Sequence, residues 1–324
     1  MTGWLLFPAV VTAMAFVMAV ALSLCVERIV RAAGRFEPAS RARLLGFVAL
    51  VPMLAASAIA MMGLVPTLLY DVGIVPDLCL DRQASDHLSC PMHPYTVGIG
   101  SVALLLALAA GLVALGAVAY AAAQLLRARR VLARLDALSE PEYTGVVRVV
   151  RSACPVALST TWPRERIYVS RSVLEVLDDT ELDGLILHER AHLERRDSMR
   201  LLVARLATCT LLPRARRRLL QALELAVEQA CDQVAARRVG PVAVASALLK
   251  FSRAAALPGA PRVPMVSAYD GADIARRVQA LVAADGSAVP APRLRVTRWW
   301  VVVLIPACWL LHELGEFVLR PLVG

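Results

Sequence analysis

Hydrophobic and polar positions fall into two regimes along this chain. Four stretches, 4–26, 44–70, 97–126 and 299–319, are almost wholly apolar, and each reaches the length of about 20 residues that crosses a bilayer. Residues 127–298 instead show amphipathic periodicity. Helices are predicted there over 180–196, 198–212, 214–238, 241–255 and 272–284, and the β-branched runs 146–150 and 166–169 read as strands. Thr180 with Asp183 reads as the capping box that opens the first of these helices. The Pro/Gly-rich segments 257–264 and 286–292 read as loops. Pro52 and Pro66 would kink the second apolar stretch or mark its ends. The expected fold class is a membrane protein of four transmembrane helices, with a mainly α (α+β) cytoplasmic domain inserted between spans 3 and 4.

Composition supports the division. Of the 324 residues 58% are hydrophobic and only 19% charged, against about 25% charged in ordinary soluble domains. A plain soluble globule and a disordered chain are both excluded. The first stretch lacks a positive leading segment and a small-residue cleavage site, so it reads as a span rather than a signal peptide.

Charge placement orients the spans. Arg28, Arg31, Arg35, Arg41 and Arg43 follow the first span, Arg127, Arg129, Arg130 and Arg134 follow the third, and Arg293, Arg295 and Arg298 precede the fourth. The 71–96 loop carries only Arg82 among four aspartates. Positive residues stay on the cytoplasmic side, so residues 127–298 are expected inside the cell, with both termini and the 71–96 loop outside. The 127–298 block has a net charge of +10 within a chain total of +9. The Arg214, Arg216, Arg217, Arg218 cluster could attract an anionic inner leaflet, although a solvated helix face obeying the charge bias accounts for it as well. No nucleic-acid-binding motif is present, so no direct nucleic-acid binding is expected.

Chemistry concentrates in one helix. Residues 188–192 read His-Glu-Arg-Ala-His, an H-E-x-x-H. Residues four apart on a helix lie one turn above each other, so both imidazoles can reach one zinc ion while Glu189 addresses a water. With five histidines in the chain, about 0.003 chance occurrences are expected, which makes accident a poor explanation. His87, His93 and His312 fall on the outer loop or in the last span, so the third metal ligand should be a carboxylate. Glu224, Glu228 and Asp232 share one helical face, and spacing alone does not choose among them.

The stretch 181–197, containing His188, Glu189 and His192, resembles the BlaR/MecR-type membrane zinc peptidases, the antirepressors of antibiotic-resistance operons. So does Glu228-Gln-Ala-Cys231-Asp232, because that family carries its glutamate ligand in an E-x-x-C-D helix. The order of three spans, peptidase and fourth span is similar too. HtpX-type proteases, wider gluzincin relatives, use an E-x-x-x-D. The resemblance implies a gluzincin-type metallopeptidase domain, with Glu228 as third ligand and Asp232 orienting a ligand histidine. It also implies a cytoplasmic protein substrate, such as a winged-helix repressor, or cleavage of the chain itself. In the antibiotic-sensing receptors a penicillin-binding domain follows the last span. This sequence ends at Gly324 without one, so β-lactam sensing is not carried over.

The expected activity is zinc-assisted peptide hydrolysis, with the substrate adding along strand 146–150 or 166–169; the alternatives are an HtpX-like membrane-protein quality-control protease and a catalytically silent transmembrane sensor. Cys79 and Cys90 are the cysteines expected outside, where a disulfide between them is favoured. The rival there is a metal-sensing cluster of His87, Cys90, Met92 and His93.

Overall fold

The structure, a computed structural model, describes residues 3–72, 101–141, 146–161, 164–255 and 271–283. The first two apolar stretches lie within longer helices, α1 (Gly3–Ala33) and α2 (Pro38–Asp71), and the described part of the third, from residue 101, lies in α3 (Ser101–Ala137). α2 runs through Pro52 and Pro66 rather than ending at either. Among the described residues one stretch, Pro38–Ala58, is long and apolar enough to cross a membrane. The 299–319 stretch and Cys79, Cys90, His87, Met92 and His93 lie outside the described residues.

After α3 the chain forms β1 (Ser139–Pro141), β2 (Val147–Val150), β3 (Ala157–Thr160) and β4 (Arg166–Ser170). The strands make one mixed sheet in the order β1-β2-β4-β3, with β2 and β4 parallel and the outer pairs antiparallel. Strands 146–150 and 166–169, expected to receive a substrate, are thus the two central strands, and each already has a partner on both sides. No substrate can add to them. Among the described residues the terminal strands are β1 and β3, which the sequence did not announce because they are short and only partly apolar. β3 is the one packed beside the H-E-x-x-H helix.

Alternation along β4 explains how the sheet is covered. Ile167 and Val169 face a core with Leu182, Leu185, Ile186, Leu193, Ala247 and Phe251. Tyr168 faces the other way, against Leu132 and Leu135 of α3, and its hydroxyl donates to Asp136 at 2.5 Å.

Six helices follow: α4 (Arg171–Val176), α5 (Asp179–Arg195), α6 (Asp197–Ala207), α7 (Pro213–Val239), α8 (Pro241–Ala255) and α9 (Gly271–Val282). α5 opens one residue earlier than the sequence suggested, and its cap lies two residues earlier. Its capping box is Asp178 with Glu181, not Thr180 with Asp183: Asp178 accepts from the Glu181 N–H at 2.9 Å and Glu181 accepts from the Asp178 N–H at 3.0 Å. Glu181 is preferred because Lys250 and Ser246 of α8 also donate to it, each at 2.6 Å. Between α5 and α6 the chain turns at Arg196, which adopts the left-handed conformation (φ 53°). Gly184 marks a close approach of α5 to the end of α7, since a Cβ there would lie 3.0 Å from Val239 Cγ2.

The C-terminal part of α1 and the N-terminal part of α2 share a core with the helices that follow the sheet. Ala19 and Val26 of α1 and Leu45, Val48 and Ala49 of α2 pack with Leu219, Leu223, Ala226 and Val227 of α7. Ser23 of α1 accepts from the Leu212 N–H at 3.1 Å, satisfying a donor at the start of α7. α7, the helix carrying the candidate carboxylates, is therefore wedged between the apolar helices and α5.

Candidate metal centre

The 3.6-residue period of α5 stacks His188 and His192, with ring centroids 4.8 Å apart and Nε2 atoms 3.2 Å apart. α7 brings Glu228 to the same point. Its Oε2 lies 3.4 Å from His188 Nε2 and its Oε1 3.6 Å from His192 Nε2. Nitrogen and oxygen ligands about 2.1 Å from a tetrahedral zinc stand roughly 3.4 Å from one another. The three separations, two of them to different oxygens of Glu228, lie close to that spacing, so the donor set suits zinc.

The far nitrogen of each imidazole is also held. His188 Nδ1 lies 3.0 Å from Asp232, and His192 Nδ1 lies 3.1 Å from Asp197. Carboxylates there leave both Nε2 atoms directed at the common point, the usual way of orienting metal-binding histidines. Burial alone would lower the basicity of His188, but the hydrogen bonds it donates to the Asp232 and Glu228 carboxylates prevail and raise its pKa to about 10. In the ion-free protein it is protonated at neutral pH, and a metal must displace that proton.

Glu224, left open by spacing, is engaged elsewhere: Arg205 donates to it at 2.7 Å. Glu189 is buried and, with His188, lines a cavity of about 30 Å³, room for about one water molecule. Cys231 Sγ lies 3.4 Å from His192 Nδ1 and 3.7 Å from Asp197 Oδ2. His192, Asp197 and Cys231 form a second group of metal-binding types. Burial keeps that thiol protonated well above its usual range, which suits a supporting contact better than a ligand.

Two contributors escaped the sequence reading. Asp197 follows the H-E-x-x-H closely, but nothing in its spacing shows that α6 begins by turning it back onto His192. Arg277 of α9 is buried and forks onto Asp232, Nε at 2.8 Å and Nη2 at 2.7 Å, while Nη1 reaches Glu228 at 3.0 Å. One signal pointed to it: Arg277 shares the apolar face of its helix with Ile274, Val278 and Leu281, where an arginine needs a buried partner. Beside these, Gln229 accepts from Arg41 of α2 and donates to the Arg276 carbonyl of α9 at 3.1 Å.

Residues 121–257 match the model of Peptidase family M48. That family indicates a metallopeptidase, typically one dependent on zinc. The matched segment contains His188, Glu189, His192, Glu228 and Asp232, and leaves out Arg41 and Arg277. No curated protein and no solved structure matches the chain.

Proposed function

We propose that the chain is an integral-membrane zinc metalloendopeptidase that cuts proteins at the cytoplasmic face, in signalling, by cleaving a transcriptional repressor or itself. The observation that carries this reading is the convergence of His188, His192 and Glu228 at zinc-ligand spacing, inside a segment matched to a metallopeptidase family. The membrane part rests on the apolar stretches and their arginine flanks. Residues 1–126 and 299–324 supply three spans and a fourth, and 127–298 is the peptidase domain between them.

His188, His192 and Glu228 would hold the ion, with Asp232 and Asp197 fixing the imidazoles. Zinc, when bound, supplies a Lewis acid and brings the pKa of a water toward ~7. Glu189 accepts the proton from the attacking water and returns it to the leaving amine. Arg277 balances the charge of the Asp232 and Glu228 carboxylates. An extended substrate pairs with β3, the terminal strand beside α5.

The antirepressor role follows from the BlaR/MecR-type resemblance. A housekeeping role in membrane-protein quality control, as in HtpX-type proteases, is the second reading. The packing of α1 and α2 directly on α7 favours it, because membrane-embedded substrates could then approach the site. Comparing cells carrying the wild type and Glu189→Ala separates the two. A signalling peptidase changes transcription of a small set of operons in a Glu189-dependent way. Accumulation of many membrane proteins with unchanged transcription would establish the housekeeping role instead.

A further inference from the structure

A cleft of about 900 Å³ opens between α2, α6 and α7, lined in part by Asp197, whose carboxylate also meets His192. Its volume is that of a ligand pocket. The floor includes Gly46, Phe47 and Leu50 of α2, which belong to the stretch able to cross a membrane. Met199, Val203 and Val234 line it while remaining 41%, 39% and 37% exposed. Large apolar side chains left in contact with water along one cleft call for an apolar occupant.

The rim has the opposite character. Arg43, Arg195, Arg196, Arg200 and Arg237 surround the cleft, against Glu194 and Asp197. Arg195 and Arg200 lie 3.5 and 3.9 Å from Asp197; Arg43, Arg196, Arg200 and Arg237 are exposed, Arg43 donating to Ser40 Oγ and the Ala39 carbonyl on its own helix. A suitable occupant therefore has an apolar body and an anionic head. An extended peptide fits poorly, because the walls are helices whose backbone groups are paired internally and offer no strand edge.

We propose that this cleft binds one anionic phospholipid, its phosphate held by Arg196, Arg237 and Arg43 and an acyl chain lying along Gly46, Phe47 and Leu50. The inference rests on the proposed membrane location. Arg43 stands at the polar start of the α2 apolar stretch, the level at which inner-leaflet headgroups sit. The site differs from diffuse attraction through the Arg214–Arg218 cluster: it holds one molecule in a shaped cavity and selects its head.

The test uses full-length protein reconstituted in nanodiscs of equal parts phosphatidylglycerol and phosphatidylcholine, then extracted into detergent. Lipid retained per chain is measured by mass spectrometry. The wild type should retain phosphatidylglycerol in preference to phosphatidylcholine. Arg196→Glu with Arg237→Glu should lower that retention by about tenfold or more. Arg196→Lys with Arg237→Lys should largely restore it, and Gly46→Phe should displace both lipids. Arg214→Glu with Arg217→Glu should leave it unchanged. Zinc content, equal across the set, shows that the variants are folded. Equal losses from the cleft and cluster pairs, absence of headgroup preference in the wild type, or a change of oligomeric state in place of a lipid change would each overturn the proposal. Alkaline extraction of the wild type from native membranes tests the membrane location separately.

Discussion

At the scale of single residues, the H-E-x-x-H makes His188, Glu189 and His192 legible in the sequence, because a helix converts a spacing of four into one shared face. The choice of carboxylate is different. Glu224, Glu228 and Asp232 are equivalent by periodicity, and only the partners contributed by other elements distinguish them: Arg205 on Glu224, the Nε2 atoms of His188 and His192 at Glu228, and His188 Nδ1 at Asp232. Zinc measured on purified variants should therefore fall sharply for His188→Ala, His192→Ala and Glu228→Gln, and little for Glu224→Gln. Glu189→Ala should keep zinc and lose proteolysis, since its carboxylate moves a proton rather than holding the ion. Zinc retained by Glu228→Gln and lost by Glu224→Gln would move the ligand by one helical turn. Arg277 gives a second prediction. Its removal leaves Asp232 buried without its arginine, and breaking a buried ion pair from one side costs about 3–5 kcal/mol. Thermal unfolding of ion-free Arg277→Ala should show that loss. Added zinc, a cation held by Glu228 beside the lost guanidinium, should stabilise this variant more than it does the wild type.

Among the elements, long helices with clear apolar faces were read to within a few residues, as in α8 and α7, while short strands were not. β1 and β3 are three and four residues long, and their pairing is set by neighbours distant in sequence. The start of α5 was misplaced for a similar reason. Thr180 and Asp183 satisfy the local pattern, but the decision lies with Lys250 and Ser246 on α8. Burial would raise the Glu181 pKa, yet Lys250, Ser246 and the Asp178 N–H outweigh it and hold the carboxyl below its ordinary value. A carboxylate depressed on folding adds stability that is fully present above its unfolded pKa of about 4.3 and is lost as pH falls through the folded value. Glu181→Gln should thus cost about 1–2 kcal/mol near pH 7. The gap from the wild type should close on acidification below that unfolded value, as read by thermal unfolding across a pH series. A gap independent of pH would mean that the glutamate acts through shape rather than charge.

Over the whole molecule, the sequence divides cleanly into apolar and amphipathic regions, but it does not reveal how much they share. The core of α7 is completed by Ala19, Val26 and Leu45, Gln229 is bonded by Arg41, and Arg277 lies beyond the family-matched segment. A fragment spanning 121–257 lacks all of these. It should expose the α7 face, leave the Asp232 carboxylate without its arginine, and aggregate or fail to retain zinc where the full chain retains it. Gel filtration and metal analysis of the two proteins would show this. A monomeric, zinc-loaded fragment would mean that α1, α2 and α9 are accessories to the site rather than parts of it.

The hydrogen on Gly184 has a consequence for which ions the centre accepts. Gly184 lies one turn before His188, and a methyl group in its place would meet Val239 Cγ2 at 3.0 Å and Val244 Cγ2 at 3.6 Å. Valine in a helix has essentially one rotamer and cannot swing aside, so the strain passes to the separation of α5 and α7. That separation fixes the gap between two histidines on one helix and a glutamate on the other. Gly184 therefore works as a gauge, and its smallest replacement, alanine, should widen the gap by a few tenths of an ångström. A larger, oxygen-preferring ion with bonds of about 2.3–2.6 Å would then lose less than zinc, whose ligands sit nearer 2.1 Å. Competition between zinc and calcium in Gly184→Ala and wild type would record the shift as a change in the ratio of their affinities, with an unchanged ratio meaning that the helices absorb the methyl elsewhere.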